Sequence, residues 1–229
     1  MKVRGFLSII LYMIGLNTAL AQSAVKTDLT LGFATSAVWR GITQGSAALQ
    51  PEFTLGWKGL DFSVWSSIGL FDDVREIDLT LSYTIGNLQL SIVDYWGNTD
   101  TSLYFDYDSH TTGHAFEGAI AYDFGPVSAS WQTFFAGQDY LVADGKRAFS
   151  SYLEISAPFK FGGLDWEATM GVVPWVSDFY ETNGFHFTNI SLKAEKAIPI
   201  CDRFSLPLYG RIIANPSNRK LYFVAGFTL

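Results

Sequence analysis

Cysteine is nearly absent: Cys201 stands alone among 229 residues. One thiol closes no disulfide within its own chain, so stability must come from backbone pairing and packing. Charge is scarce as well, at 16% of residues against roughly 25% in soluble domains. Basic side chains number 15 against 22 acidic ones, and no basic cluster exists, which argues against nucleic-acid binding. Histidine occurs three times, at His110, His114 and His186, and supplies little for metal or general-base chemistry. Beyond the first two dozen positions no apolar run approaches the length of about 18 residues that reads as a spanning helix. Aromatics, by contrast, are abundant: 19 Phe, 11 Tyr and 7 Trp, or 16% of the chain. That excess needs an apolar or interfacial home.

The N-terminus points to export. Lys2 and Arg4 are followed by an apolar stretch from Phe6 to Leu16, and Ala19-Leu20-Ala21 meets the small-x-small rule for cleavage. An uncleaved anchor is the competing reading, but the apolar stretch is short of the about 20 residues a helix needs to span. No Cys sits at the cleavage point, so a lipoprotein signal is not expected. The expected domains are a signal peptide, 1–21, and one domain, 22–229. Without Lys2 and Arg4 the mature chain carries 13 basic against 22 acidic side chains, a net charge of −9.

Period-two alternation runs through nearly all of that domain. Ile77, Leu79, Leu81, Tyr83 and Ile85 share one face, with Glu76, Asp78, Thr80, Ser82 and Thr84 on the other. The pattern predicts twelve strands, at 27–39, 50–58, 61–70, 75–85, 87–96, 113–124, 126–137, 148–159, 164–173, 184–197, 203–213 and 218–229. Short connections (Gly59-Leu60, Gly86, Gly125, Gly162-Gly163, 198–202) alternate with mostly longer ones (40–49, 71–74, 97–112, 138–147, 174–183, 214–217). Short turns on one rim and long loops on the other are how outer-membrane barrels are built. The expected fold class is therefore all-β: a transmembrane, antiparallel, up-and-down β-barrel of about twelve strands, with both termini on the periplasmic rim. A secreted soluble barrel or sandwich also alternates, but turns its apolar face inward. Trp39, Trp57, Tyr83, Tyr122, Phe124 and Trp166 fall near predicted strand ends, where aromatic girdles sit.

The segment Ala37-Val38-Trp39-Arg40-Gly41-Ile42-Thr43-Gln44-Gly45, followed by Leu49-Gln50-Pro51 and later Trp65-Ser66-Ser67, resembles the N-terminal pattern of the Gcw_chp, or TorF-like, family of bacterial outer-membrane proteins of unknown function. Phe116-Glu117-Gly118, the run from Tyr122 to Val127, and Tyr152-Leu153-Glu154 are similar to that family too. The resemblance implies an outer-membrane barrel and brings no catalytic residues.

The face opposite the apolar one collects charge. The lumen candidates are Arg40, Glu52, Glu76, Asp78, Glu117, Glu154, Glu167, Lys193 and Arg211, with Asp28, Lys58, Asp61, Asp165, Glu195 and Lys220 on the same parity. Two readings stand side by side: a structural or partner-binding barrel whose lumen is plugged by salt bridges that brace it from within, or a narrow hydrated pore that passes or binds small polar solutes. Arg40, at the outer end of the first strand, is expected to pair with Glu52 or Glu76 or to meet an anionic solute. Loop 97–112 offers Tyr104, Asp106, Tyr107 and Asp108. Aromatics beside carboxylates suit sugar or nucleoside contact, and Asp106-x-Asp108 is a weak calcium pattern, against the plainer reading of a solvated loop. A rim enzyme built on His114 or His186 has no supporting spacing. The expectations are thus no enzyme, no metal and no cofactor. The expected partners are outer-membrane lipid, the barrel-assembly machinery during biogenesis and small polar solutes, with the protein a monomer in the cell outer membrane.

Overall fold

Lys58 and Gly59 both take positive φ, 50° and 84°, as a two-residue hairpin turn matched to strand twist requires. Gly86, Gly125, Gly162 and Gly163 also lie at positive φ in the other short connections. These turns join the strands of a computed structural model that describes residues 25–98 and 103–229. The expected signal peptide and cleavage site lie outside the described residues, as do residues 99–102 of loop 97–112.

Every regular element among the described residues is a strand. Twelve of them, β1 (Lys26–Ala34), β4 (Ala48–Trp57), β5 (Leu60–Gly69), β6 (Arg75–Ile85), β7 (Leu88–Asn98), β8 (His114–Asp123), β9 (Ser128–Gly137), β10 (Ser151–Phe161), β11 (Leu164–Val173), β14 (His186–Cys201), β15 (Phe204–Asn215) and β16 (Lys220–Thr228), form one closed antiparallel barrel. The seam joins first strand to last: Gly32, Phe33 and Ala34 of β1 pair with Thr228, Phe227 and Gly226 of β16. Reciprocal bonds of 2.9 Å between the backbones of Leu31 and Leu229 extend it. Closure leaves no open sheet edge. The expected fold class is present in this strand number and pairing.

Two further hairpins leave the wall. β2 (Ala37–Trp39) pairs with β3 (Ile42–Gly45), and β12 (Val176–Ser177) with β13 (Thr182–Asn183). Here the strand expected over 27–39 needs correction. The wall strand stops at Ala34, and Ala37 to Trp39 turn away from the wall toward the lumen. The outward series Leu29, Leu31 and Phe33 gives way at Thr35-Ser36, after which β2 pairs with β3 instead of with the wall. Trp39 consequently belongs to the lumen packing and not to an interfacial girdle.

The two faces of the wall differ in kind. Leu29, Phe53, Phe62, Leu81, Ile92, Ile120, Ile190, Ile212 and Phe223 point outward and are exposed; Leu29 keeps 75% of its surface and Phe223 68%. Each such side chain forgoes roughly 1.5–3 kcal/mol of burial if its surroundings are water. Two clusters of buried apolar residues lie inside the cylinder. One cluster joins Ala115, Phe134, Tyr152, Val173 and Tyr180 to Trp39, Ile42 and Tyr95. A second joins Ala34, Ile213 and Val224 to Val38, Tyr209 and Tyr222.

Candidate functional site

Arg40 and Gly41 form the tip of the β2–β3 hairpin, between the paired Trp39 and Ile42. Their φ angles, 49° and 82°, are those of a tight hairpin turn whose second position favours glycine. At Gly41 there is a further demand: a Cβ would fall 1.7 Å from the Thr188 carbonyl oxygen. The tip is therefore pressed against the backbone of β14. Asn215 of β15 donates to the Gly41 carbonyl at 3.0 Å and fixes it there.

From that tip Arg40 reaches the opposite wall. Its two terminal nitrogens donate to the Glu117 carboxylate at 2.5 and 2.8 Å, a two-pronged ion pair. The Tyr180 hydroxyl, carried by the β12–β13 hairpin, accepts from the same guanidinium. Tyr95 donates to Glu117 at 3.3 Å. The guanidinium carbon lies 4.1 Å from the Trp39 ring centre and 4.8 Å from that of Tyr152. Both charged side chains are buried, Glu117 at 1% exposure. A buried pair is tolerable only with this density of hydrogen bonds around it. The expectation that Arg40 pairs with Glu52 or Glu76 is corrected: the hairpin carries it past its neighbours on β4 and β6 to β8.

The hairpin divides the lumen. On one side a cavity of about 360 Å³ lies against β4–β7, with Glu52, Glu76, Asp78, Trp39, Trp65 and Tyr95 in its lining. On the other side cavities of about 320 and 310 Å³ are lined by Glu154, Glu167, Lys193, Asn189 and Arg211, among others. The second side is internally balanced. Lys193 pairs with Glu195 at 2.7 Å, Arg211 donates twice to Ser191 at 3.1 and 2.8 Å, and Glu154 accepts from Tyr152 at 2.7 Å. The nine lumen candidates thus fall into three groups: the Arg40–Glu117 latch, an acidic compartment and a mixed one.

The outer-loop candidates do other work. Asp106 accepts from the Asp108 backbone at 3.0 Å and the Thr111 hydroxyl at 2.8 Å. The Asp108 N–H, then the Thr111 hydroxyl, hold the Asp106 carboxyl below its usual range. Asp108 accepts from the His110 N–H at 3.1 Å. These carboxylates stabilise their own turn, and no metal-holding group of three occurs among the described residues. Tyr104 and Tyr107 clamp His114: its Nε2 meets the Tyr104 carbonyl at 2.7 Å, and Tyr107 stacks on the ring at 4.7 Å. Its Nδ1 meets Asp94 at 2.7 Å. Both ring nitrogens thus have partners within the protein, which fix the ring between β7 and the loop.

Sequence reasoning missed Tyr95, Phe134, Tyr152 and Tyr180 as plug contacts, and Trp65 as a lumen aromatic. The parity of Tyr95, Tyr152 and Trp65, inward on their strands, was available as a signal. That of Tyr180 was not, because it arrives on a loop.

No family model and no curated protein matches the chain. A chain from a solved structure described as "Unveiling the Mechanism Behind the in-meso Crystallization of Membrane Proteins" is similar over 90% of this chain and 83% of its own, at 7% identity and a TM-score of 0.48.

Proposed function

We propose that this chain is an exported outer-membrane barrel that holds small polar solutes in a lumen closed by its own first hairpin. The membrane part of the proposal draws on the continuous apolar outer face, which a water-exposed barrel would turn inward. Closure of the cylinder satisfies the backbone without water, as lipid requires. The observation that carries the closed state is the Arg40–Glu117–Tyr180 latch spanning the interior. It makes the hairpin an integral part of the packed interior and leaves the lumen as separate compartments. The residues behind the TorF-like resemblance, Trp39-Arg40-Gly41-Ile42, are those of the hairpin tip. No hydrolytic step enters this reading, because His114 Nε2 faces a carbonyl and not a hydroxyl.

Planar-bilayer recording of the purified mature chain tests it. The wild type is expected to show no sustained conductance, and a variant with residues 36–46 replaced by a short Gly-Ser linker is expected to conduct in discrete steps. Steady conductance by the wild type, or silence in both, would overturn the plug.

A further inference from the structure

Trp65 lies between two carboxylates. On β4 its cross-strand partner is Glu52, and on β6 it is Asp78. Directly opposed residues keep their Cβ atoms within about 5 Å, so indole and carboxylates sit side by side at one level of the lumen. Glu76, two residues along β6, adds a third acid to the same cavity.

This arrangement is uncompensated. None of the three carboxylates has a hydrogen-bond or ion-pair partner among the described residues. Asp78 Oδ1 is wholly buried and unpartnered. Trp65, unlike Trp39 and Tyr95, makes no ring or cation contact among the described residues. No Lys, Arg or His lines the cavity. The compartment across the hairpin is the internal control: there Lys193 and Arg211 accompany Glu154 and Glu167. Half-buried acids without partners favour a positive occupant, and an indole face attracts an ammonium more than a neutral group.

We propose that this chamber binds a small organic ammonium ion, seated on Trp65 between Glu52 and Asp78. A bare metal ion fits less well, since the described residues offer no metal-holding group of three and an aromatic wall gives a hard cation no oxygen. A volume of about 360 Å³ accommodates a ligand of a few heavy atoms with its water. A smaller cavity of about 200 Å³ shares Trp39, Gln44, Glu76 and Tyr95 with it and continues toward Gly97, Gly113 and Phe179 at the loop rim, which supplies an approach.

The proposal rests on the solute-holding reading above, and its test is separable from the conductance assay. Choline and its neutral carbon isostere 3,3-dimethylbutan-1-ol are titrated into the purified full barrel in lipid nanodiscs, by calorimetry and tryptophan fluorescence. Choline is expected to bind with quenching of indole emission, and the isostere about tenfold more weakly. Glu52→Gln, Asp78→Asn and Trp65→Leu are each expected to weaken choline about tenfold, while Glu167→Gln, across the hairpin, leaves it unchanged. Equal affinity for the isostere, no choline binding, displacement of choline by millimolar sodium alone, or indifference to all three variants would overturn the inference. The first two need no substitution and so survive a variant that fails to fold. Absence of choline binding in a barrel that conducts only without its hairpin removes the cation assignment and leaves the plug; absence in a barrel that conducts with its hairpin removes both.

Discussion

The Arg40 guanidinium and the Glu117 carboxylate meet in a two-pronged ion pair although 77 residues separate them. One stands at the tip of a hairpin, the other on the far wall. The pair therefore reports a single fact about the molecule: the β2–β3 hairpin is folded through the lumen. Its surroundings, Tyr180, Tyr95, Tyr152 and Trp39, hydrogen-bond to the charges or face them with their rings, so the attraction is screened less than at a protein surface.

Removing one partner leaves the other charge buried alone. Arg40→Leu and Glu117→Leu are each expected to cost about 3–5 kcal/mol of hairpin docking. The double variant Arg40→Leu with Glu117→Leu is expected to recover a large part of that cost, because two apolar groups replace two desolvated charges. Denaturant titration of both singles and the double, followed by tryptophan emission, closes the cycle. Additive losses in the double would mean that the two side chains stabilise the fold independently and form no latch.

Much of this fold was legible in the sequence, and the reason is local. Leu79, Leu81 and Tyr83 alternate against Asp78, Thr80 and Ser82 because a wall with lipid-like demands on one side and polar ones on the other imposes period two. Glycine turns at Gly59 and Gly86 mark the short rim for the same local reason. The hairpin was not legible in this way. Trp39-Arg40-Gly41-Ile42 has the composition of a tight turn, but alternation assigned Val38 and Trp39 to the strand that precedes it. Whether such a turn stands above the barrel or folds into it is decided by Glu117, Tyr152 and Thr188, each far away in sequence. The three groups of lumen charges follow from that fold and could not be sorted before it.

Asp72 ties down the other end of the hairpin. Its carboxylate accepts the Ser46 N–H at 2.6 Å, at the return leg toward β4, and the Val74 N–H at 3.3 Å. The Ser46 N–H, more than any other contact, holds the Asp72 carboxyl below its usual value. A depressed carboxyl contributes stability that is complete above its unfolded value, near 4, and that disappears as pH falls through the lower folded value. The difference in melting temperature between wild type and Asp72→Asn is therefore expected to be constant from pH 8 to about 5 and to shrink below about pH 4. A difference that persists undiminished at pH 2 would show that the amide, not the charge, is what the variant disturbs.

The pair of Asp94 and His114 makes the last prediction, and it concerns the outside of the barrel. Asp94 follows Ile92 on the outward parity of β7, and His114 is entirely buried beneath Tyr104 and Tyr107 of the long loop. A polar pair on an apolar face is costly unless something covers it; here the cover is the loop, held through the Tyr104 carbonyl at 2.7 Å. His114→Phe keeps an aromatic ring for the stack with Tyr107 and Phe116 but deletes both hydrogen bonds. The loop from 103 to 112 is then expected to exchange its amide hydrogens faster, while β7 and β8, held by their own ladder from Leu88–Tyr122 to Trp96–His114, exchange as before. Hydrogen-exchange mass spectrometry resolves the two segments. Unchanged protection in 103–112 would mean that ring packing alone covers Asp94, and the polar contacts of His114 would then have no part in placing the loop.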